Sequence, residues 1–190
     1  MTAVTNLALM DKGIRYSTKL LTYGLKSAPD RAVAFILSTL LNQGLKNSLG
    51  EGDFDFFDGK TLAIAVDDTA KILVIEKRYN RLRVSPQLEE KSSGSESPLR
   101  NGADVIIKGS VASFILMISG TVDPDTLFFR RKITITGNTD LSLAVKNMLG
   151  SLEPEKTLPK PLLFFITEYA RAIGRAMDRK PPGNELRNQS

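Results

Sequence analysis

Residues 111–118 read VASFILMI, eight positions with apolar side chains on every side of a helix, with Ser110 placed to cap the start and Gly120 to close the end. A helix without a polar face cannot lie on a surface, so the rest of the chain must wrap it in apolar groups. A chain of 190 residues, 42% of them hydrophobic, is long enough and apolar enough to do so in one domain.

The period of the apolar residues then sets the elements around that helix. Residues 1–28 form a basic N-terminal segment, in which 11–26 make a short amphipathic helix with Lys12, Arg15, Lys19 and Lys26 on one stripe. Pro29 suits a first helical position and Asp30 a first turn. Val33, Phe35, Ile36, Leu37, Leu40, Leu41, Leu45 and Leu49 follow at helical spacing up to Gly50. The period changes to two at Leu62, Ile64 and Val66, at Ile72–Ile75 and at Leu82 and Val84, with Asp67-Asp68 and Tyr79-Asn80 between the runs. These are antiparallel strands joined by tight turns. Residues 85–102 are Ser-rich and polar, a flexible loop within the 29–153 domain. A strand resumes at Val105-Ile106-Ile107, another carries Ile133 and Ile135, and Asn138 or Thr139 caps a helix that Pro154 ends. A final amphipathic helix falls within 154–179, and 180–190 read as a disordered tail. The order of elements is that of an α+β domain.

The chain contains no Cys and no His, which excludes disulfides, zinc fingers, iron–sulfur ligation, Cys nucleophiles and Ser-His-Asp triads. No catalytic residue, metal or cofactor is expected. No run reaches the roughly 18 apolar residues that cross a bilayer, and residues 1–25 lack a signal-peptide core, so a cytoplasmic protein is expected. Lys and Arg number 26 against 21 acids, a net charge of +5, with basic residues gathered at both ends and acids in 51–70.

Four stretches bear on function. Asp53, Asp55 and Asp58 alternate with phenylalanines and read as acids facing water, because the ligand spacing of a calcium loop is absent. Gly137 to Asp140 lacks the glycine spacing and lysine of a phosphate cradle and reads as a helix cap. Arg130, Arg131 and Lys132 beside Phe128 and Phe129 have no second aromatic and cationic platform to extend them, so no nucleic-acid partner is expected. In the last helix, Phe164 falls on the polar half among Arg171 and Arg175, while Phe165 falls on a wide apolar half. Such a helix either lies on a membrane or gates a lipid site, or else packs on its own domain with one exposed ring.

Asp123 to Glu153, DPDTLFFRRKITITGNTDLSLAVKNMLGSLE, resembles the C-terminal half of the sterol carrier protein type 2 domain family, and within it the accessory factors of bacterial ubiquinone biosynthesis. The resemblance rests on DPDTLFF at Asp123–Phe129, the basic residues Arg130–Lys132, the alternating strand, Gly137-Asn138-Thr139-Asp140-Leu141 and Val145-Lys146-Asn147, in that order. It continues more weakly through Phe35 to Gly120, including the Phe-rich Phe54–Phe57 ahead of Gly59, and covers most of residues 30–175. The 85–102 loop is longer than the family's usual strand connection, and the polar tail has no counterpart.

The resemblance implies an open, mainly antiparallel sheet of about five strands, with flanking helices enclosing an apolar lipid cavity. It implies a non-enzymatic role in the oxygen-independent pathway. An isoprenoid quinone intermediate or a phospholipid is bound and presented, at the inner membrane as a peripheral protein, to partners such as the UbiU–UbiV hydroxylases. Candidate cavity residues are Phe114, Ile115, Leu116 and Met117 of the apolar helix, Phe128 and Phe129, and Leu141, Val145, Met148 and Leu149. Candidate membrane contacts are Phe164, Phe165, Arg171 and Arg175. A scaffold that binds the pathway's proteins without a ligand of its own is the alternative.

Overall fold

A computed structural model of the chain describes residues 21–87, 103–151 and 154–178. Five strands form one sheet in the order β3-β2-β1-β4-β5: β1 (Thr61–Val66), β2 (Lys71–Arg78), β3 (Arg81–Gln87), β4 (Val105–Gly109) and β5 (Ile133–Gly137). The pairs β1–β2, β2–β3 and β4–β5 are antiparallel, and β1–β4 is parallel. The helices are α1 (described over 21–27), α2 (Asp30–Gly44), α3 (Lys46–Glu51), α4 (Val111–Ile118), α5 (Pro124–Phe129), α6 (Thr139–Ser151), α7 (Pro154–Thr157) and α8 (Lys160–Asp178), with a 3-10 turn at Asp55–Phe57. This is an α+β fold around a mainly antiparallel five-stranded sheet with flanking helices.

Directly paired residues share a face of a sheet. The register sets Leu62 beside Ile75 and Val105, Ile75 beside Val84, and Ile64 between Leu73 and Ile107. This face forms the floor of the core. Ser110 caps α4 by accepting from Ser113 N at 3.2 Å, and Val111, Ser113 and Leu116 are buried, while Ile118 at the far end reaches solvent. Ala170 and Ile173 of α8 are buried, and α8 packs against α4. Asn138 caps α6, its Oδ1 accepting from Leu141 N at 3.0 Å.

The parallel seam is held at its start by Asp104, whose Oδ2 accepts from Thr61 N at 2.8 Å and from Thr61 Oγ1 at 3.0 Å. These bonds, the backbone one first, hold the Asp104 carboxyl below the ordinary carboxylate range.

Three expectations are corrected. The helix expected to run unbroken to Leu49 bends at Leu45 (φ −103°, ψ 14°), and α3 ends at Gly52 with φ 86°. The bend keeps Leu45 and Leu49 buried while the chain turns toward the 3-10 segment. β3 continues through Gln87, because Ser85, Pro86 and Gln87 pair with Val74, Leu73 and Ile72; the polar stretch therefore enters the sheet before leaving it. Residues 124–129, to which no element is assigned from the sequence, form a helix, with Asp123 accepting from Thr126 N at 3.1 Å and Pro124 in the first turn. Residues 11–20 of the helix expected over 11–26, residues 88–102 of the loop expected over 85–102 and the tail expected over 180–190 lie outside the described residues. Among the described residues no helix is long and apolar enough to cross a membrane.

Candidate functional site

Between the sheet and the helices lies a cavity of about 140 Å³ whose lining side chains are all apolar. Leu37 and Leu41 reach it from α2 and Leu45 from the bend, at the four-residue spacing that keeps one helix face inward. Leu62, Ile64, Ile75, Leu82 and Ile107 form the floor, Phe114, Met117 and Ile118 come from α4, and Val145, Met148 and Leu149 from α6. Phe54, Phe56 and Phe57 close the remaining side. Phe56 and Ile118 are the most exposed of these residues, at 37% and 38%, and mark the mouth. With no polar atom in its wall, the cavity matches apolar groups and offers no hydrogen bond to a polar one.

Five of the ten residues expected in the wall are there: Phe114, Met117, Val145, Met148 and Leu149. Leu116 and Leu141 are buried in the core outside the cavity lining, and Ile115 is half-buried against that core. Phe128 and Phe129 do not line the cavity. They belong to an open groove with Asp123, Asp125, Thr126, Arg130 and Lys146. Consecutive residues on a helix diverge by about 100°, so Leu127 takes the buried position, Phe128 sits 6.0 Å beneath Lys146 Nζ, and Phe129 is 89% exposed. On α8, Phe164 and Phe165 are 71% and 62% exposed. Phe165 is therefore exposed although it lies on the apolar half, and Arg171 pairs with Glu168 of its own helix. Nothing is described of the Arg175 side chain.

The wall contributions of α2, the sheet and the Phe54–Phe57 segment were not assigned from the sequence. A detectable signal lay in β2, where Lys71 and Lys77 fall in phase with Leu73 and Ile75 on the apolar face. Both lysines are buried because each ties down a neighbouring segment. Lys71 Nζ donates to Ala28 O at 2.8 Å and pairs with Asp30, holding the start of α2. The Lys77 side chain, 2% exposed, reaches Asp55 Oδ1 at 2.6 Å and Asp58 Oδ1 at 2.9 Å. The acids read as merely facing water thus also serve as counter-charges. Their hydrogen bonds, that of Asp55 first, raise the Lys77 pKa against the opposing effect of desolvation. Among the described residues no group of His, Cys, Asp or Glu could hold a metal ion.

The model of the SCP-2 sterol transfer family matches residues 37–150. The chain is 26% identical over 173 residues to the ubiquinone biosynthesis accessory factor UbiT of Escherichia coli strain K12, covering 91% of each protein. Among solved structures it is similar to a UbiJ-SCP2 ubiquinone synthesis protein, with a TM-score of 0.47, 14% identity and coverage of 67% of this chain and 99% of that one. It is also similar to the sterol carrier protein domain 2 of Helicoverpa armigera, with a TM-score of 0.45, 22% identity and coverage of 63% and 91%.

Proposed function

The chain belongs to the SCP-2 sterol transfer family, and we propose that it is a non-catalytic, lipid-binding accessory factor of ubiquinone biosynthesis, working in the oxygen-independent branch. In this reading the cavity takes hydrocarbon of an isoprenoid quinone intermediate or a membrane phospholipid. The head group stays at the mouth, where enzymes such as UbiU–UbiV-like hydroxylases can reach it. The observation that carries the reading is the wholly apolar wall. Shielding hydrocarbon from water is worth about 25 cal/mol per Å² of buried surface, whereas a buried head group would leave its oxygens unpaired. The similarity to UbiT over most of the chain supports the pathway.

Phe164, Phe165, Arg171 and Arg175 are the proposed membrane contacts of a cytoplasmic protein that visits the inner membrane peripherally. The exposure of both rings, on a helix that also carries Arg171, supports this. One observation favours a second reading, a scaffold for the pathway's proteins with no ligand. The cavity of about 140 Å³ is smaller than the several hundred Å³ of most ligand sites.

Native mass spectrometry of protein purified without detergent, followed by organic extraction, separates the two. The carrier reading expects a stoichiometric lipid, whose mass distinguishes a quinone intermediate from a phospholipid. A bare protein mass, with no uptake of an added polyprenyl phenol, sinks it in favour of the scaffold.

A further inference from the structure

The cavity is small for a lipid chain, and one side of it is built differently from the rest. Helices and strands supply most of the wall. Phe54, Phe56 and Phe57 come instead from a short segment between Gly52 (φ 86°) and Gly59 (φ 68°), both in the left-handed region that glycine adopts without steric cost. A single 3-10 turn, Asp55–Phe57, is the regular structure inside it. A turn flanked by two such glycines has pivots at both ends, and its middle ring, Phe56, stands at the mouth.

Phe54 and Phe57 of this segment pack into the core, and charge fastens it to the sheet at Lys77. Lys77 Nζ lies 2.6 Å from Asp55 and 2.9 Å from Asp58, one carboxylate on either side of Phe56 and Phe57, and Asp58 also forms an isolated bridge with the Lys77 backbone. Asp55 and Asp58 are themselves 70% and 61% exposed, so water can replace Lys77 as their partner when the contact breaks. The lysine head is enclosed, the carboxylates are not, and the rings they flank close the cavity.

We propose that the segment from Gly52 to Gly59 is the access gate of the cavity, and that Lys77 is its latch, a positioning residue that sets how fast hydrocarbon passes in and out. This rests on the carrier reading above. With the latch closed the cavity holds its small volume; with it released, Phe56 swings away from Ile118 and the space opens to a longer chain. Uptake is then limited at high ligand concentration by opening rather than by encounter.

The test is stopped-flow uptake of cis-parinaric acid, a linear fatty-acid probe that fluoresces in apolar surroundings, by the full chain and two variants. In the unsubstituted protein the observed rate should level off as probe concentration rises. Lys77→Met keeps the apolar stem and removes the latch. Asp55→Asn with Asp58→Asn, at exposed positions, removes the opposing charges while leaving each an amide oxygen that can still accept from Lys77, so the latch is weakened by a second, independent route. Both should raise the plateau rate by about fivefold, the scale of a lost ion pair, and raise the release rate alongside it. An unchanged plateau in the folded variants, or weaker equilibrium binding without faster uptake, overturns the gate and leaves the carrier reading standing. Failure of the unsubstituted protein to take up the probe at any concentration overturns both.

Discussion

The Asn42 carboxamide makes two hydrogen bonds to the backbone of Leu82: Nδ2 donates to Leu82 O at 2.6 Å, and Oδ1 accepts from Leu82 N at 2.9 Å. Leu82 sits on β3, the edge strand, so a helix side chain takes the place of the missing neighbouring strand. Ser38 Oγ adds a third bond to Leu82 O at 3.1 Å, and α2 is thereby locked to the sheet beside the cavity. Asn42→Leu should cost about 1–3 kcal/mol, since it strands the Leu82 N–H without a partner. Urea unfolding measures this, and a loss below the error of the method would show that water takes over the pairing.

Gly137 has φ 124°, and a Cβ there would lie 2.2 Å from the Asp104 carbonyl oxygen and 2.9 Å from Val105 Cα. The neighbours are backbone atoms at the β4–β5 pairing and have no side-chain rotamer to yield. Gly137→Ala should therefore destabilise the fold by more than about 1 kcal/mol. Gly24→Ala, at a position with open space around it, is the control.

The depressed pKa of Asp104 fixes the sign of a pH effect. The folded chain holds this carboxylate ionised more firmly than the unfolded chain does, so its stabilisation is present above the ordinary carboxylate pKa of about 4. It fades as pH falls through the lowered value. Thermal unfolding of the native protein and of Asp104→Asn should differ most near neutrality and converge in acid. Parallel curves at all pH values would refute the linkage.

Leu41→Phe with Met148→Phe adds two rings to the cavity wall, one from α2 and one from α6. If the space is the ligand site, the doubly filled protein should lose the stoichiometric lipid while its unfolding free energy stays within about 1 kcal/mol of the parent. Lipid retained at full occupancy would place it elsewhere on the molecule.

Phe164, 71% exposed, contributes little to packing. Phe164→Asp should leave stability within about 0.5 kcal/mol and reduce sedimentation with anionic liposomes. A collapse in stability would make this ring part of the core, contrary to the membrane assignment.

Local chemistry was legible wherever neighbours in sequence decide it. Val111–Ile118 has no polar face, so the helix was legible, although only Val111, Ser113 and Leu116 are fully buried and Ile118 reaches solvent; the Ser110 and Asn138 caps lie three residues from the amides they bind. Alternation also exposed the apolar faces of β1 and β3, the unbroken apolar run Ile72–Ile75 marked β2 without telling its faces apart, and the joining turns are short enough to force antiparallel pairing. The chain's apolar supply, its lack of Cys and His and its likeness to a lipid-carrier family are likewise properties of the string of residues.

What the tertiary structure alone decided depends on groups far apart in the chain. The parallel seam of β1 with β4 brings together residues 43 positions apart, Thr61 and Asp104, and apolar alternation reads the same for either strand direction. Phe129 turned outward because consecutive side chains on α5 diverge, so burying Leu127 leaves no room to bury Phe128 and Phe129 on the same side. Lys77 and its two carboxylates are each ordinary surface residues when read singly. Only folding β2 beneath the Gly52–Gly59 segment encloses the ammonium and makes two exposed acids its counter-charges, because desolvation and pairing act over ångströms in space rather than over positions in sequence.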